Sequence, residues 1–252
     1  MRAMFAKIDE LKQRLDALRP LPPGLVKNLR ESFRIEWTYH SNAIEGNTLT
    51  LLETKLVVEE GITIGGKRLK EHLEAINHAE AIDFIEELVA NKEHLTEHVL
   101  KQVHYLVLKS IDNENAGKYR TYNVRISGSS YTPPHFLHVQ DEMNRLFSWY
   151  ETNQYALHPI ELAARFHFQL VSIHPFADGN GRTARLMMNF ILMQHGYPPA
   201  IVKANPEQRR KYYETLEKAS VEGEVTPFIQ LIAACVEESL RHYLYALGME
   251  DE

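Results

Sequence analysis

Apolar residues return every three or four positions along most of this chain, and that period suits packed helices and little else. Phe5, Ile8, Leu11, Leu15 and Leu18 predict an amphipathic helix over residues 4–18. The run Arg19-Pro20-Leu21-Pro22-Pro23-Gly24 breaks it. Leu25, Leu29, Phe33 and Trp37 form the stripe of a second helix, which reaches about Glu45 and stops before Gly46. Thr50-Leu51-Leu52-Glu53 has the form of a capping box for a third helix ending near Gly61. Further helices are expected over residues 68–90, 96–110, 183–195, 206–219 and 225–246. Pro159 suits the first turn of another that runs to about Ile173. One segment alternates instead: Val124 to Tyr131, around a Gly-Ser turn and ending at Pro133-Pro134, predicts a short β-hairpin too small to organise a sheet. The fold class that follows is all-α with one small hairpin.

With 252 residues, 44% of them hydrophobic, the chain can bury a sizeable core. No apolar run approaches the roughly 20 residues that span a bilayer. Lys7, Asp9, Glu10, Lys12 and Arg14 interrupt any signal-peptide pattern, so no membrane is expected. The single cysteine, Cys235, stands among apolar neighbours and reads as a packing residue in a reducing, cytoplasmic setting. A net charge of −6 and the lack of a basic recognition helix argue against nucleic-acid binding. A small cationic pocket for phosphate is still compatible with that charge.

Such a pocket is legible in residues 174–185, His-Pro-Phe-Ala-Asp-Gly-Asn-Gly-Arg-Thr-Ala-Arg. Gly179, Asn180 and Gly181 permit left-handed backbone that turns successive N–H groups toward an anion. The helix that follows adds the positive end of its dipole. Arg182 and Arg185 are three apart, share a helix face and can fork onto polyphosphate oxygens. Asp178 offers a hard oxygen for Mg²⁺ beside those phosphates. His174 is placed to act as a general base. Phe176 is the exception and reads as an apolar anchor for the loop.

This stretch resembles the signature of the Fic family, His-Pro-Phe-x-Asp/Glu-Gly-Asn-Gly-Arg-x-x-Arg, at every position. The resemblance implies an all-α fold with the motif on a central loop and helix, and an enzyme that moves AMP from ATP onto a protein hydroxyl. It implies that His174 deprotonates the target hydroxyl and that Asp178 holds Mg²⁺ or Mn²⁺. Gly179, Asn180 and Gly181 would cradle phosphate, and Arg182 and Arg185 would hold its outer groups. The related Doc kinases carry Lys near Gly181, so glycine there favours AMP transfer over phosphate transfer. The segment around residues 124–134 matches the family's flap, with Ile126, Ser127, Gly128 and Ser129 presenting the target backbone by strand addition. Tyr212 and Tyr213 stand where relatives line the adenine pocket, although such a pair alone also reads as core. The chain departs from close relatives at Ser220-Val221-Glu222-Gly223, where Asn often precedes Glu-Gly.

Ser41-Asn42-Ala43-Ile44-Glu45-Gly46 resembles the family's inhibitory motif, Ser/Thr-x-x-x-Glu-Gly/Asn. Ser41 and Glu45 face the same way on a helix, and Glu45 sits in its last turn, where the helix dipole disfavours a negative charge. A surface glutamate would satisfy that position; the resemblance instead implies a contact with Arg185 that brakes the enzyme. The motif precedes the catalytic one, as in the class with an inhibitory helix in the same protein. The expected organisation is an N-terminal helical region over 1–95, a Fic core over 96–231 and a C-terminal helix over 232–252. ATP and a target protein with an accessible hydroxyl are the expected partners, with self-modification and a homodimer left open. Two other readings compete: a deAMPylase or bifunctional enzyme that uses Glu45 to position water, and an ATP-sensing interaction module without turnover.

Overall fold

The computed structural model describes residues 2–249; residue 1 and residues 250–252, at the outer ends of the first and last expected regions, lie outside the described residues. The helices are α1 (Arg2–Ala17), α2 (Pro23–Ile44), α3 (Leu51–Glu60), α4 (Leu69–Ala90) and α5 (Glu97–Leu108). They continue with α6 (Val139–Asn153), α7 (Pro159–Ile173), α8 (Asn180–Gln194), α9 (Pro206–Glu222) and α10 (Thr226–Ala246). Local chemistry sets many of their ends. Both bonds of the α3 capping box form, and Gly61 closes that helix in the left-handed region. Thr96 caps α5 on Val99 N–H, and Asn205 caps α9 on Gln208 N–H. α6 adds a helix to those expected, with Val139, Met143, Leu146 and Tyr150 buried at four-three-four spacing.

The hairpin is a correction. Among the described residues 124–131 there is no strand, only an extended loop with one turn, closed by Ser129 N–H to Ile126 O at 3.3 Å. The polar groups of its tip are bound elsewhere: Ser130 donates to Glu217 of α9 through its N–H (2.9 Å) and hydroxyl (2.5 Å), and Ser129 Oγ joins the same carboxylate. Alternation along this segment therefore marks exposure, not pairing between its two arms.

α8 is buried almost all round, its polar residues included, and Leu186, Met187, Met188, Phe190, Ile191 and Leu192 are fully buried, so this helix runs through the centre of the core. α7 lies along it, with Leu162, Ala163, Phe166 and Leu170 buried against the same core. α1, α2 and α4 contribute to that core together with α5 to α10, while Leu49, Val57 and Ala75 form a small separate cluster under α3. Cys235 is buried in α10, and burial pushes its thiol up to about 12, which makes it a packing residue and no nucleophile. No helix among the described residues is long and apolar enough to cross a membrane. The central α7–α8 pair has one consequence for chemistry. Its connection, residues 174–179, is held at the N-terminus of a buried helix, where first-turn N–H groups have no acceptor within the helix.

Candidate active site

His174 ends α7 in the left-handed region, at φ 51° and ψ 57°. Pro175 prevents continuation of the helix. The ring's Nδ1 lies 3.2 Å from Val171 O. A carbonyl only accepts, so Nδ1 carries the proton and the neutral ring presents its lone pair on Nε2. Burial, with the charge of Arg120, pulls the His174 pKa below the ordinary histidine value, against the opposing hydrogen bond to Val171. A neutral ring is the result.

The loop after His174 is stapled from both sides. Asn180 accepts from Phe176 N–H and donates to Phe176 O, both at 2.9 Å, so its side chain builds the loop. Phe176 is fully buried and stacks on His104 of α5, with ring centroids 3.6 Å apart. Gly117 N–H donates to His104 Nδ1 at 2.9 Å, which leaves the proton on Nε2 to donate to Asp178 O at 2.9 Å. Burial lowers His104 to about 4 and keeps it neutral in that role. Of the three residues expected in the nest, only Gly179 takes a positive φ, +77°; a Cβ there would come within 3.3 Å of His104 Nε2. Asn180 and Gly181 are already helical, so the anion-facing N–H groups are those of the α8 terminus.

Asp178 keeps a half-exposed carboxylate beside that terminus. Its Oδ1 accepts from Gly179 N–H at 2.6 Å, and Arg182 Nη2 stands at 3.4 Å. Lys70 Nζ lies 3.8 Å from its Oδ2. The charge of Arg182 and the Gly179 hydrogen bond hold the carboxyl below its usual range, overcoming burial, which acts the other way. Among the described residues no group of three acidic, histidine or cysteine side chains could hold a metal. One carboxylate beside a phosphate site does fit Mg²⁺, which commonly binds through one or two carboxylates, substrate phosphates and water.

The two arginines are both engaged. Arg182 meets Glu74 of α4 at 3.2 Å, and Glu74 also accepts from Asn47, just beyond the 41–46 motif, at 2.9 Å. Arg185 is buried and binds three groups at the end of α2: Ser41 Oγ (3.0 Å), Ser41 O (2.7 Å) and Oε1 of the C-cap residue Glu45 (2.7 Å). Glu45 Oε1 also stands directly over the first turn of α8. A Cβ on Gly181 would run into it and lie 3.2 Å from Arg185 Nη1. The carboxylate thus sits at the wrong end of its own helix and at the right end of α8, whose dipole favours an anion. Gly46 follows with φ +95° and lets the chain turn away.

The tyrosine pair divides. Tyr212 is buried; its hydroxyl accepts from Arg185 Nη1 at 3.2 Å and donates to His167 Nε2 at 3.0 Å, burial keeping His167 neutral. Tyr213 donates to Ile44 O at 3.2 Å, and Arg209 Nε donates to the same carbonyl at 2.8 Å. Together they secure the last turn of α2, next to Glu45. Ser41, Glu45, Gly181, Arg182, Arg185 and Tyr212 are therefore brought into one cluster, with His174 and Asp178 on the adjoining loop. Of the flap residues Ile126 to Ser129, Ser129 is tied to Glu217 of α9, while Arg120 binds the loop's ends at Tyr122 O and Pro134 O together with His174 O. Glu74, His104, Arg120 and Glu217 lay outside the expected set. His104 falls in the apolar stripe of Leu100, Val103, Val107 and Leu108, where periodicity marks it as core and nothing more. The other three carried no local signal.

The sequence model of the Fic/DOC family matches residues 94–192. The protein adenylyltransferase Fic of Culex quinquefasciatus is 37% identical over 244 residues, covering 96% of this chain and 48% of that protein. The chain thus spans about half the length of the curated relatives it matches. Among solved structures, a Fic domain containing signaling protein from Bacteroides thetaiotaomicron superposes with a TM-score of 0.88 at 30% identity, over 98% of this chain and 100% of that one. Fic-1 from C. elegans gives a TM-score of 0.88 at 31% identity, over 99% of this chain and 73% of that one.

Proposed function

The chain belongs to the Fic family, and from that premise we propose that it transfers AMP from ATP to a serine, threonine or tyrosine hydroxyl of a target protein, braked by its own Glu45. The observation that carries this reading is the carboxylate of Glu45, bound to Arg185 and seated over the α8 N-terminus where a phosphate would bind. In the transfer, His174 Nε2 takes the hydroxyl proton and the freed oxygen attacks the α-phosphorus of ATP. The P–O bond to the β-phosphate breaks, and pyrophosphate leaves. Arg182, Arg185 and the α8 N–H groups hold the phosphates during this step. Mg²⁺ or Mn²⁺, held by Asp178 and phosphate oxygens, would neutralise phosphate charge. On this reading residues 1–95 carry regulation and residues 96–231 the chemistry; the expected boundary at 231 falls inside α10, the remainder of which supports the core. The flap would offer the backbone of Ile126 to Ser129 to the target, and Tyr213 the wall of the adenine side. A reducing, cytoplasmic compartment agrees with the lone buried thiol. Self-modification within a homodimer would use the same groups.

The position of the label in ATP tests the reaction. With cell lysate and Mg²⁺, the Glu45→Gly variant should place label on protein from α-labelled ATP and none from γ-labelled ATP. Label from the γ position would mean phosphate transfer, and ATP binding with no labelled protein would mean a sensing module. The metal supplies a second test: excess EDTA should stop labelling, and Asp178→Ala should lose it even with Mg²⁺ restored. Transfer that persists in EDTA would remove Asp178 from the metal role.

A further inference from the structure

Arg120 is 4% exposed, yet among the described residues no carboxylate pairs with it. A buried guanidinium without a counter-ion is costly and calls for compensating acceptors. Here all of them are backbone carbonyls. Nε donates to His174 O at 2.8 Å, Nη1 to Tyr122 O at 2.9 Å and Nη2 to Pro134 O at 2.5 Å. Its own N–H donates to Pro175 O at 2.9 Å. Tyr122 and Pro134 are the two ends of the extended flap loop, and His174-Pro175 is the start of the catalytic loop. One side chain therefore spans the neck of the flap and fastens it to His174.

We propose that Arg120 is a positioning residue that sets the flap and His174 in one rigid frame, so that a target hydroxyl presented by the flap arrives at His174 Nε2. This rests on the proposed transfer reaction and extends it. The need for such a device follows from the missing strand ladder. The flap's arms form no strand ladder, so its placement depends on its tip at Glu217 and on its neck, where Asn123 Oδ1 accepts from Phe136 N–H at 2.9 Å and Arg120 ties both arms to the catalytic loop. His174 is a non-glycine residue in the left-handed region, a conformation that persists only when surroundings fix it. Arg120 binds its carbonyl and the next one. A planar fork with several donors can hold separate carbonyls at once; a lysine ammonium on a flexible stem cannot match that geometry.

Amide hydrogen exchange and kinetics of Arg120→Gln test the proposal. Exchange over residues 123–133 and 174–176 should speed up together, about tenfold or more, while α8 and α10 keep their protection. In a Glu45→Gly background, kcat/KM for a protein target should fall about tenfold or more, with ATP affinity changed by less than about twofold. Should Arg120→Gln fail to fold, Arg120→Lys keeps the charge and carries the same comparison. Unchanged protection in either segment would overturn the proposal, as would a loss of ATP affinity equal to the loss of transfer. If Glu45→Gly alone transferred no AMP, the reaction assigned above would fall, and the exchange comparison would still decide the role of Arg120.

Discussion

His174→Ala is expected to slow AMP transfer by about 10²–10⁴-fold, the usual effect of removing a general base, while ATP still binds. The separation of effects follows from the geometry. His174 lies on the α7 side of the loop, and its ring hydrogen bond is to Val171, not to the α8 arginines. The α8 terminus, Arg182 and Arg185 remain in place without it. The pH profile supplies a second readout with a defined sign. The base works only when neutral, and burial holds its pKa below the ordinary value of about 6.5. Transfer should therefore stay full through neutral pH and fall only as pH drops through the lowered value, so the acid limb should have its midpoint below about 6.5. Near wild-type transfer by His174→Ala in a filter or gel assay, or an acid midpoint above about 7, would remove His174 from the role.

Glu45→Gly should act in the opposite direction and raise transfer, self-modification included. The Glu45–Arg185 contact is charge-assisted and one partner is buried, so releasing it is worth on the order of 1–3 kcal/mol, or about tenfold and upward in rate. Glycine suits the site because Glu45 is already the cap of α2, beyond the last helical residue. Glu45→Gln keeps the shape and one hydrogen bond but loses the charge, so its rate should fall between wild type and Glu45→Gly. Arg185→Ala should not imitate the release, since it removes a phosphate ligand together with the brake, and the double variant should stay inactive. Initial rates of label incorporation decide the order. If Glu45→Gly leaves transfer unchanged or abolishes it, Glu45 is no brake on this reaction, and a hydrolytic role for its carboxylate becomes the better account.

Much of this protein can be read from neighbouring residues. The α3 capping box, the Pro159 start of α7, the Gly61 stop and the contents of the 174–185 loop are all local, because caps and phosphate loops act through groups a few positions apart. The Ser41–Glu45 spacing is local too and predicts a shared face at the end of α2, where both side chains meet Arg185. The hairpin failed for the complementary reason. Alternation over 124–131 describes how side chains alternate, and it is silent on whether the tip's N–H and hydroxyl groups will find each other or Glu217, 87 positions away.

The rest depends on which distant groups the core brings together. Arg185 meets Glu45 across 140 positions because α2 packs against the largely buried α8. Tyr212 and Tyr213, adjacent in sequence, part company for the same reason: one faces the core and Arg185, the other the end of α2. His104 and Arg120 hold the 174–179 loop through backbone acceptors, which every residue possesses and no motif can mark. Side-chain chemistry and local turns are encoded residue by residue, whereas the partner of a buried charge is settled by how helices pack. Desolvation makes an unpaired choice too costly to keep.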